Sequence, residues 1–251
     1  MGTARWPEGT ARVLLPQVDS TNAEAFRRAP QLAGPAWILA AEQSSGRGRR
    51  ARPWSSPPGN AYATLVMHLQ DTPAQIALRS FVAALALHDA LSSVMKTPQG
   101  LSLKWPNDVL LNGGKVAGIL LECQSAGQGR QTLAIGIGVN LIAHPPLSEV
   151  EPGATPPVSV LSESGMRVSP EAFLTPLAAA FAAWEARFAT EGFAPIRSAW
   201  LMQAARLGEP IRARTGTQER HGVFESIDAD GNLVLRTPQA TLAIPAAEVF
   251  F

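Results

Sequence analysis

Residues 74 to 95 constrain what this chain can fold into more than any other stretch. Leu78, Phe81, Val82, Leu85 and Leu91 recur at helical spacing, and Gln75, Arg79, Asp89 and Ser93 leave only a narrow polar stripe. A helix this apolar has to be packed inside the protein. Its uninterrupted apolar run, near 81–87, stops at His88 and Asp89. That is too short to cross a bilayer, which takes roughly 20 residues. Other elements must therefore enclose it.

The remaining pattern supplies them. Strands are predicted at 11–15, 37–41, 61–69, 101–104, 109–111, 116–121 and 132–138. A short helix capped by Ser20 or Thr21 runs to about Arg28 and is broken by Pro30, Gly34 and Pro35. Asn112-Gly113-Gly114 predicts a tight hairpin. Residues 144–170 are rich in Pro, Gly, Ser and Glu and predict a long loop, of the kind that forms lids or binding segments. Phe173, Leu177, Phe181, Trp184 and Phe188 predict a core helix beginning at Pro176, with Thr175 as its cap. A last helix covers about 193–204. After Leu207-Gly208 four or five short strands separated by turn residues predict a small barrel. The single cysteine, Cys123, excludes an intrachain disulfide and reads as a small buried hydrophobe.

Charge narrows the function. Lys+Arg is 21 against Asp+Glu 20, a formal net charge of +1, which is not the basic excess of a dedicated nucleic-acid binder. The excess is confined to one loop. Arg47, Arg49, Arg50 and Arg52 fall within six residues, interleaved with Gly46 and Gly48, after Gln43 and before Trp54. Arginine grips phosphate or carboxylate bidentately and keeps its charge. The loop therefore suits a polyanionic small molecule. A second polar cluster, Lys104-Trp105-Pro106-Asn107-Asp108, ends an apolar strand. A lysine there either pairs with Asp108 or is a point charge aimed at a phosphate or a reacting carboxylate. For Lys115 an ordinary ion pair is the expectation.

Ile135-Gly136-Ile137-Gly138-Val139-Asn140 lacks the third glycine and the following helix of a dinucleotide fingerprint. Its alternating glycines permit close approach of a ligand or another backbone. Asn140, Ser20, Thr21 and Asn22 offer polar groups at strand ends, as helix caps or as ligand contacts. Four scattered histidines and one cysteine do not make a zinc site.

Ser20-Thr21-Asn22, Gln43 with Gly46-Arg47-Gly48-Arg49-Arg50, Trp54-Ser55-Ser56-Pro57-Pro58-Gly59-Asn60, Lys104-Trp105-Pro106-Asn107-Asp108, Gly114-Lys115-Val116-Ala117-Gly118-Ile119-Leu120 and Gly136-Ile137-Gly138-Val139-Asn140 follow one another in this order. Together they closely resemble the biotin protein ligases. The resemblance implies an α+β fold. Residues 1–205 would form a mixed central β-sheet flanked by helices, the class II synthetase-like catalytic fold of biotin and lipoate ligases. Residues 206–251 would form a small SH3-like barrel.

It implies an ATP-dependent enzyme that makes biotinyl-5′-AMP from biotin and ATP. The biotinyl group then goes to one lysine of a biotin carboxyl carrier domain of a biotin-dependent carboxylase. Carried over, Lys104 and Arg49 are catalytic. Ser20, Thr21, Asn22, Gln43, Gly46, Arg47, Gly48, Arg49 and Lys104 bind biotin, and Arg47, Arg49, Arg50, Trp54 and Asn140 bind the nucleotide. For Trp54, packing remains the alternative to adenine stacking. Arg52 ties the loop to the surface. Mg²⁺ is expected with ATP, with few or no protein ligands; Asp108 and Asn140 are the candidates to order it. Only about a dozen residues precede the first strand, so no DNA-binding helix-turn-helix is expected. A cytoplasmic monomer or homodimer without membrane attachment completes the expectation.

Overall fold

The computed structural model describes residues 4–95, 100–151, 153–216 and 218–251. Its main sheet contains β1 (Ala11–Leu15), β2 (Ala36–Ala40), β3 (Ala61–Leu69), β4 (Leu101–Lys104), β5 (Asp108–Leu111), β6 (Gly114–Gly127) and β7 (Arg130–Val139). The strand order is β1-β2-β3-β7-β6-β5-β4. Only β1 and β2 are parallel. Helix α1 (Thr21–Arg28) makes the crossover that a parallel pair requires. Every later neighbour is antiparallel, so the sheet is mixed, as expected.

Helices cover both faces of the sheet. On one side Ala25 and Ala29 pack on Ile38, Val66 and Ala134. This is why β2, Ala-Trp-Ile-Leu-Ala, is buried at every position. The large core lies on the other side. It is built around α3 (Arg79–Met95), α5 (Pro170–Glu191) and α6 (Phe193–Met202). Edge-on aromatic contacts join these layers. Trp37 meets Phe181 at 6.1 Å, Phe81 meets Trp200 at 5.6 Å, and Trp200 meets Phe224 at 6.4 Å. Each is worth about 0.5–1.5 kcal/mol beyond area burial.

The expected helix over 74–95 is two helices. A one-turn α2 (Pro73–Ala77), capped by the Thr72–Gln75 box, precedes α3. The polar stripe is used internally. Arg79, 5% exposed, bonds Asp71 and Glu185 at 2.8 Å each, and Asp89 accepts from Trp184 Nε1 at 2.8 Å.

Other expectations shift. α5 begins at Pro170, not Pro176, because Ser169 accepts from the Ala172 N–H and caps it. Pro176 is then carried inside the helix at the cost of one backbone hydrogen bond. The 144–170 loop contains a short α4 (Val160–Ser164) with a Ser159–Ser162 capping box. Cys123 is exposed, against the expected buried thiol. β6 is 14 residues long, and from Cys123 to Gly127 it continues past the core as an exposed ribbon with β7. The hairpin forms as expected. Asn112 and Gly113 have φ of 50° and 81°, the doubly positive pattern of a type I′ turn.

The chain ends in β8 (Pro210–Thr215), β9 (Gln218–Ile227), β10 (Leu233–Arg236), β11 (Thr241–Ile244) and β12 (Glu248–Phe250), an antiparallel sheet in the order β11-β10-β9-β8-β12. Between its two edge strands, β11 and β12, no ladder is formed among the described residues. Ile211, Phe224, Ile227 and Leu235 join the main core. The return of β12 beside β8 brings Glu248 to the mouth of the cleft described next.

Candidate active site

A cleft of about 980 Å³ opens over β6 and β7, lined by Ser20, Gln43, Lys104, Lys115, Gly138, Asn140 and the arginine loop, among others. Its floor is made of glycines. A Cβ on Gly136 would lie 2.5 Å from Asn22 Oδ1, and one on Gly138 would lie 2.6 Å from the Trp54 indole. The alternating glycines thus serve close approach. The groups that approach are Asn22 and Trp54. The indole also rests on Gly118, and its buried Nε1 has no hydrogen-bond partner among the described residues.

One end of the cleft is neutral and polar. Ser20 occupies the cap position of α1, but its side chain makes no cap hydrogen bond, and the residue is buried against the cleft. Gln43 Oε1 accepts from the Thr21 N–H at 2.9 Å and the Thr21 hydroxyl at 3.1 Å. Gln43 Nε2 donates to Ser56 Oγ at 3.1 Å. Thr64 Oγ1, fully buried on β3, lies 2.8 Å from Thr21 Oγ1 and 2.7 Å from Asn22 Oδ1. Asn22 Nδ2 donates to Glu122 Oε2 at 2.7 Å.

The other end is cationic. Lys104, 7% exposed at the end of β4, donates from Nζ to Thr155 Oγ1 at 2.6 Å and sits 4.8 Å over the Phe251 ring. It does not pair with Asp108. That carboxylate pairs with Lys115 at 2.7 Å, as expected for Lys115. Burial pushes the Lys104 ammonium below the usual lysine range, and Asp108 offsets this only in part. Arg49 donates to Asn107 Oδ1 at 3.3 Å, and burial pushes its guanidinium down as well. An arginine keeps its charge regardless.

The four loop arginines are not equivalent. Arg47 bonds both carboxylate oxygens of Glu122 at 3.1 and 3.0 Å. Arg50 pairs with Glu248 at 2.8 Å, and Arg52 with Glu151 at 2.8 Å and Glu248 at 2.5 Å. Burial would raise the Glu248 carboxyl, but Arg214 and Arg52 hold it below its usual value. Among the described residues only Arg49 of the four lacks a carboxylate within ion-pair distance. Arg50 and Ala51 both have φ of 57°, a conformation that non-glycine residues keep only when their surroundings enforce it. The pairs to Glu248 and Glu151 enforce it here.

The described residues between 144 and 159 strap over this end. Lys115 N–H bonds the Pro156 carbonyl at 2.7 Å and Val158 N–H bonds the Lys115 carbonyl at 3.0 Å. Asn140 Nδ2 donates to the Val158 carbonyl at 3.0 Å, and Asn60 bonds the backbone of Ile142 and Ala143. The Asn140 side-chain amide, expected on a nucleotide, is thus engaged in pinning the strap. Among the described residues no three His, Cys, Asp or Glu side chains cluster in a way that would hold a metal ion.

The motif residues therefore meet in one cleft, and comparisons with known proteins identify the family. Residues 14–140 match the model of the biotin/lipoate A/B protein ligase family, and residues 207–251 match that of the biotin protein ligase C terminal domain. A biotin–[acetyl-CoA-carboxylase] ligase of Paracoccus denitrificans is 60% identical over 238 residues, 95% of this chain and 99% of that protein.

The chain belongs to the biotin protein ligase family.

A second biotin–[acetyl-CoA-carboxylase] ligase, from Mycobacterium tuberculosis, is 30% identical, covering 94% of this chain and 87% of its own. The fold is shared with the biotin protein ligase of Aquifex aeolicus solved in complex with biotin and ATP. There the TM-score is 0.79 at 23% identity, over 95% of this chain and 97% of that one.

Within this ligase fold, several residues that line the cleft or bond its lining were not singled out from sequence. Thr64, Glu122, Thr155 and Glu248 come from β3, β6, the strap and β12. Glu122 carried the one usable signal, a charge closing the apolar run Ile119-Leu120-Leu121. The others are unremarkable in their local sequence.

Proposed function

We propose that this protein is an ATP-dependent biotin ligase that forms biotinyl-5′-AMP and passes the biotinyl group to a lysine of a biotin carboxyl carrier domain. One observation carries the reading. A buried cation, Lys104, and a half-buried one, Arg49, are held by neutral oxygens in the same cleft as the neutral side chains of Ser20, Thr21, Asn22 and Gln43. In the first step a biotin carboxylate oxygen attacks the α-phosphorus of ATP, an O–P bond forms, and pyrophosphate leaves. Both reactants are anionic, so the barrier includes their repulsion. Lys104 and Arg49 offer positive charge, already oriented and partly dehydrated, where that repulsion is largest. In the second step the acceptor amine attacks the biotinyl carbonyl, the carbonyl–oxygen bond breaks, and AMP leaves.

Ser20, Thr21, Asn22 and Gln43 suit the ureido ring, because together they offer donors and acceptors at short range. A site of this kind rejects a ligand lacking those groups by about 10⁴-fold. Gly46 and Gly48 let the loop backbone come close. The Trp54 face serves the adenine, and Asn140 holds the strap that encloses it. Arg47 keeps Glu122 through Nε and Nη2 and turns Nη1 to the ligand, while Arg50 exchanges Glu248 for its anionic groups. The strap keeps water from the mixed anhydride. Mg²⁺ would arrive on the triphosphate, held by phosphate oxygens, since the described residues form no carboxylate cage for it. No step above depends on it. A cytoplasmic location belongs to the same proposal.

Biotin-dependent exchange of labelled pyrophosphate into ATP tests the first step, and the mass gain of a carrier domain on one lysine tests the second. Exchange supported by lipoate and not by biotin would reassign the substrate.

A further inference from the structure

We infer that Glu122 is a positioning residue that couples the polar end of the cleft to the seating of the arginine loop. The inference deepens the ligase reading and rests on it. Glu122 lies on β6 beyond the glycine floor and accepts from both Arg47 and Asn22. From Asn22 the contacts run to Thr64, Thr21 and Gln43. From Gln43 they pass to Ser56, which donates to the Trp54 carbonyl at 3.0 Å. Trp54 N–H in turn bonds the Gly46 carbonyl at 2.9 Å, next to Arg47. The path is a closed ring. It leaves the loop at Arg47, crosses β6, α1 and β3, and re-enters the loop at Trp54.

A ligand with amide-like donors and acceptors that bonds Thr21, Asn22 or Gln43 shares those groups with this ring, so binding there perturbs its members. Side-chain networks of this kind act as units rather than as separate pairs. Glu122 is the ring's only charged acceptor, and it holds the one loop arginine that pairs with the catalytic sheet instead of the strap and β12. Its carboxylate offers acceptors only. An amide in its place would turn an NH₂ toward Arg47 or Asn22, both donors, and so lose at least one bond.

The test uses the full chain with Glu122→Gln, Arg47→Gln and the double substitution. In ligand-free protein, amide hydrogen exchange across residues 46–54 is expected to rise on the order of 10-fold in each single variant, the scale of one charge-assisted hydrogen bond. The double variant should show no further rise, because both changes break the same link. With biotin and ATP, Glu122→Gln should raise KM for biotin and speed release of the adenylate by a similar factor. The single-turnover rate of adenylate formation at saturation should stay the same. Glu122→Asp, which keeps the charge, should restore part of the loss.

Unchanged exchange in the loop, additive effects in the double variant, or an equal rise in the buried amides of α3 would each overturn the proposal. If the wild-type chain forms no adenylate, the ligase reading falls, and the exchange measurement still decides whether Glu122 seats the loop.

Discussion

Lys104 Nζ and Thr155 Oγ1 are 2.6 Å apart, and this neutral hydroxyl stands where a buried lysine ordinarily has a carboxylate. The hydroxyl orients the ammonium without cancelling its charge. Asp108, the nearest plausible counter-ion in sequence, is taken by Lys115. Arg49 repeats the arrangement with the Asn107 amide oxygen. Two cations are thus fixed in direction with no carboxylate in contact among the described residues. Such a site costs stability when empty and attracts an anion.

Replacing Lys104 with Met keeps most of the volume and removes the charge. Biotin-dependent pyrophosphate exchange should fall about 10²–10³-fold, as when one preorganised electrostatic donor is removed from an active site. The melting temperature should hold or rise, because the cost of burying an unpaired ammonium is gone. A fall of less than tenfold would remove Lys104 from the reacting centre.

Burial holds the Lys104 pKa below its ordinary value. The ammonium of the free enzyme is therefore lost earlier as pH rises, and kcat/KM for biotin should decline at a pH below the usual lysine range. Between the depressed folded value and the ordinary unfolded one, the unfolded chain binds more protons. This group's contribution to stability therefore increases with pH across that window. A pH profile with no such decline, or a decline equally present in an active Lys104→Arg variant, would assign the limb elsewhere.

Arg49→Gly removes a side chain that among the described residues bonds Asn107 alone, while Arg47, Arg50 and Arg52 tie the free enzyme's loop to Glu122, Glu248 and Glu151. The variant should still make the adenylate, more slowly and through Lys104, and release it into solution. Lysines of an added bystander protein should then become biotinylated, as read by mass spectrometry. A labelling pattern equal to wild type would take Arg49 out of adenylate retention.

The two floor glycines should separate the ends of the cleft. Gly138→Ala places a methyl 2.6 Å from the Trp54 indole, and Gly136→Ala places one 2.5 Å from Asn22 Oδ1. Each overpacks by about 1–3 kcal/mol. The first should raise KM chiefly for ATP and the second chiefly for biotin, in steady-state exchange with the other substrate saturating. Equal effects on both substrates would contradict this division.

Much of the fold was legible along the chain because its causes are local. Asn112-Gly113 supports a hairpin from its own positive φ values, and the apolar run of β3 fixes that strand from Ala61 to Leu69. The start of α5 was misread because two prolines compete, and the cap at Ser169 decides between them. Cys123 was misread because apolar neighbours mark a strand but do not say where the helices covering it end.

The sequence by itself determined the strands, the core helices and the inventory of the cleft, because side-chain periodicity and turn chemistry act over a few residues. Tertiary structure decided the charge balance. Arg47 meets a carboxylate 75 positions away, and Arg50 meets one on the last strand. Ion pairing depends on separations of a few ångströms in a locally varying dielectric, and only the packing of β6, β12 and the strap around the loop sets those separations. That packing neutralises three of the loop arginines and leaves Arg49, with Lys104, as the charge available to a ligand.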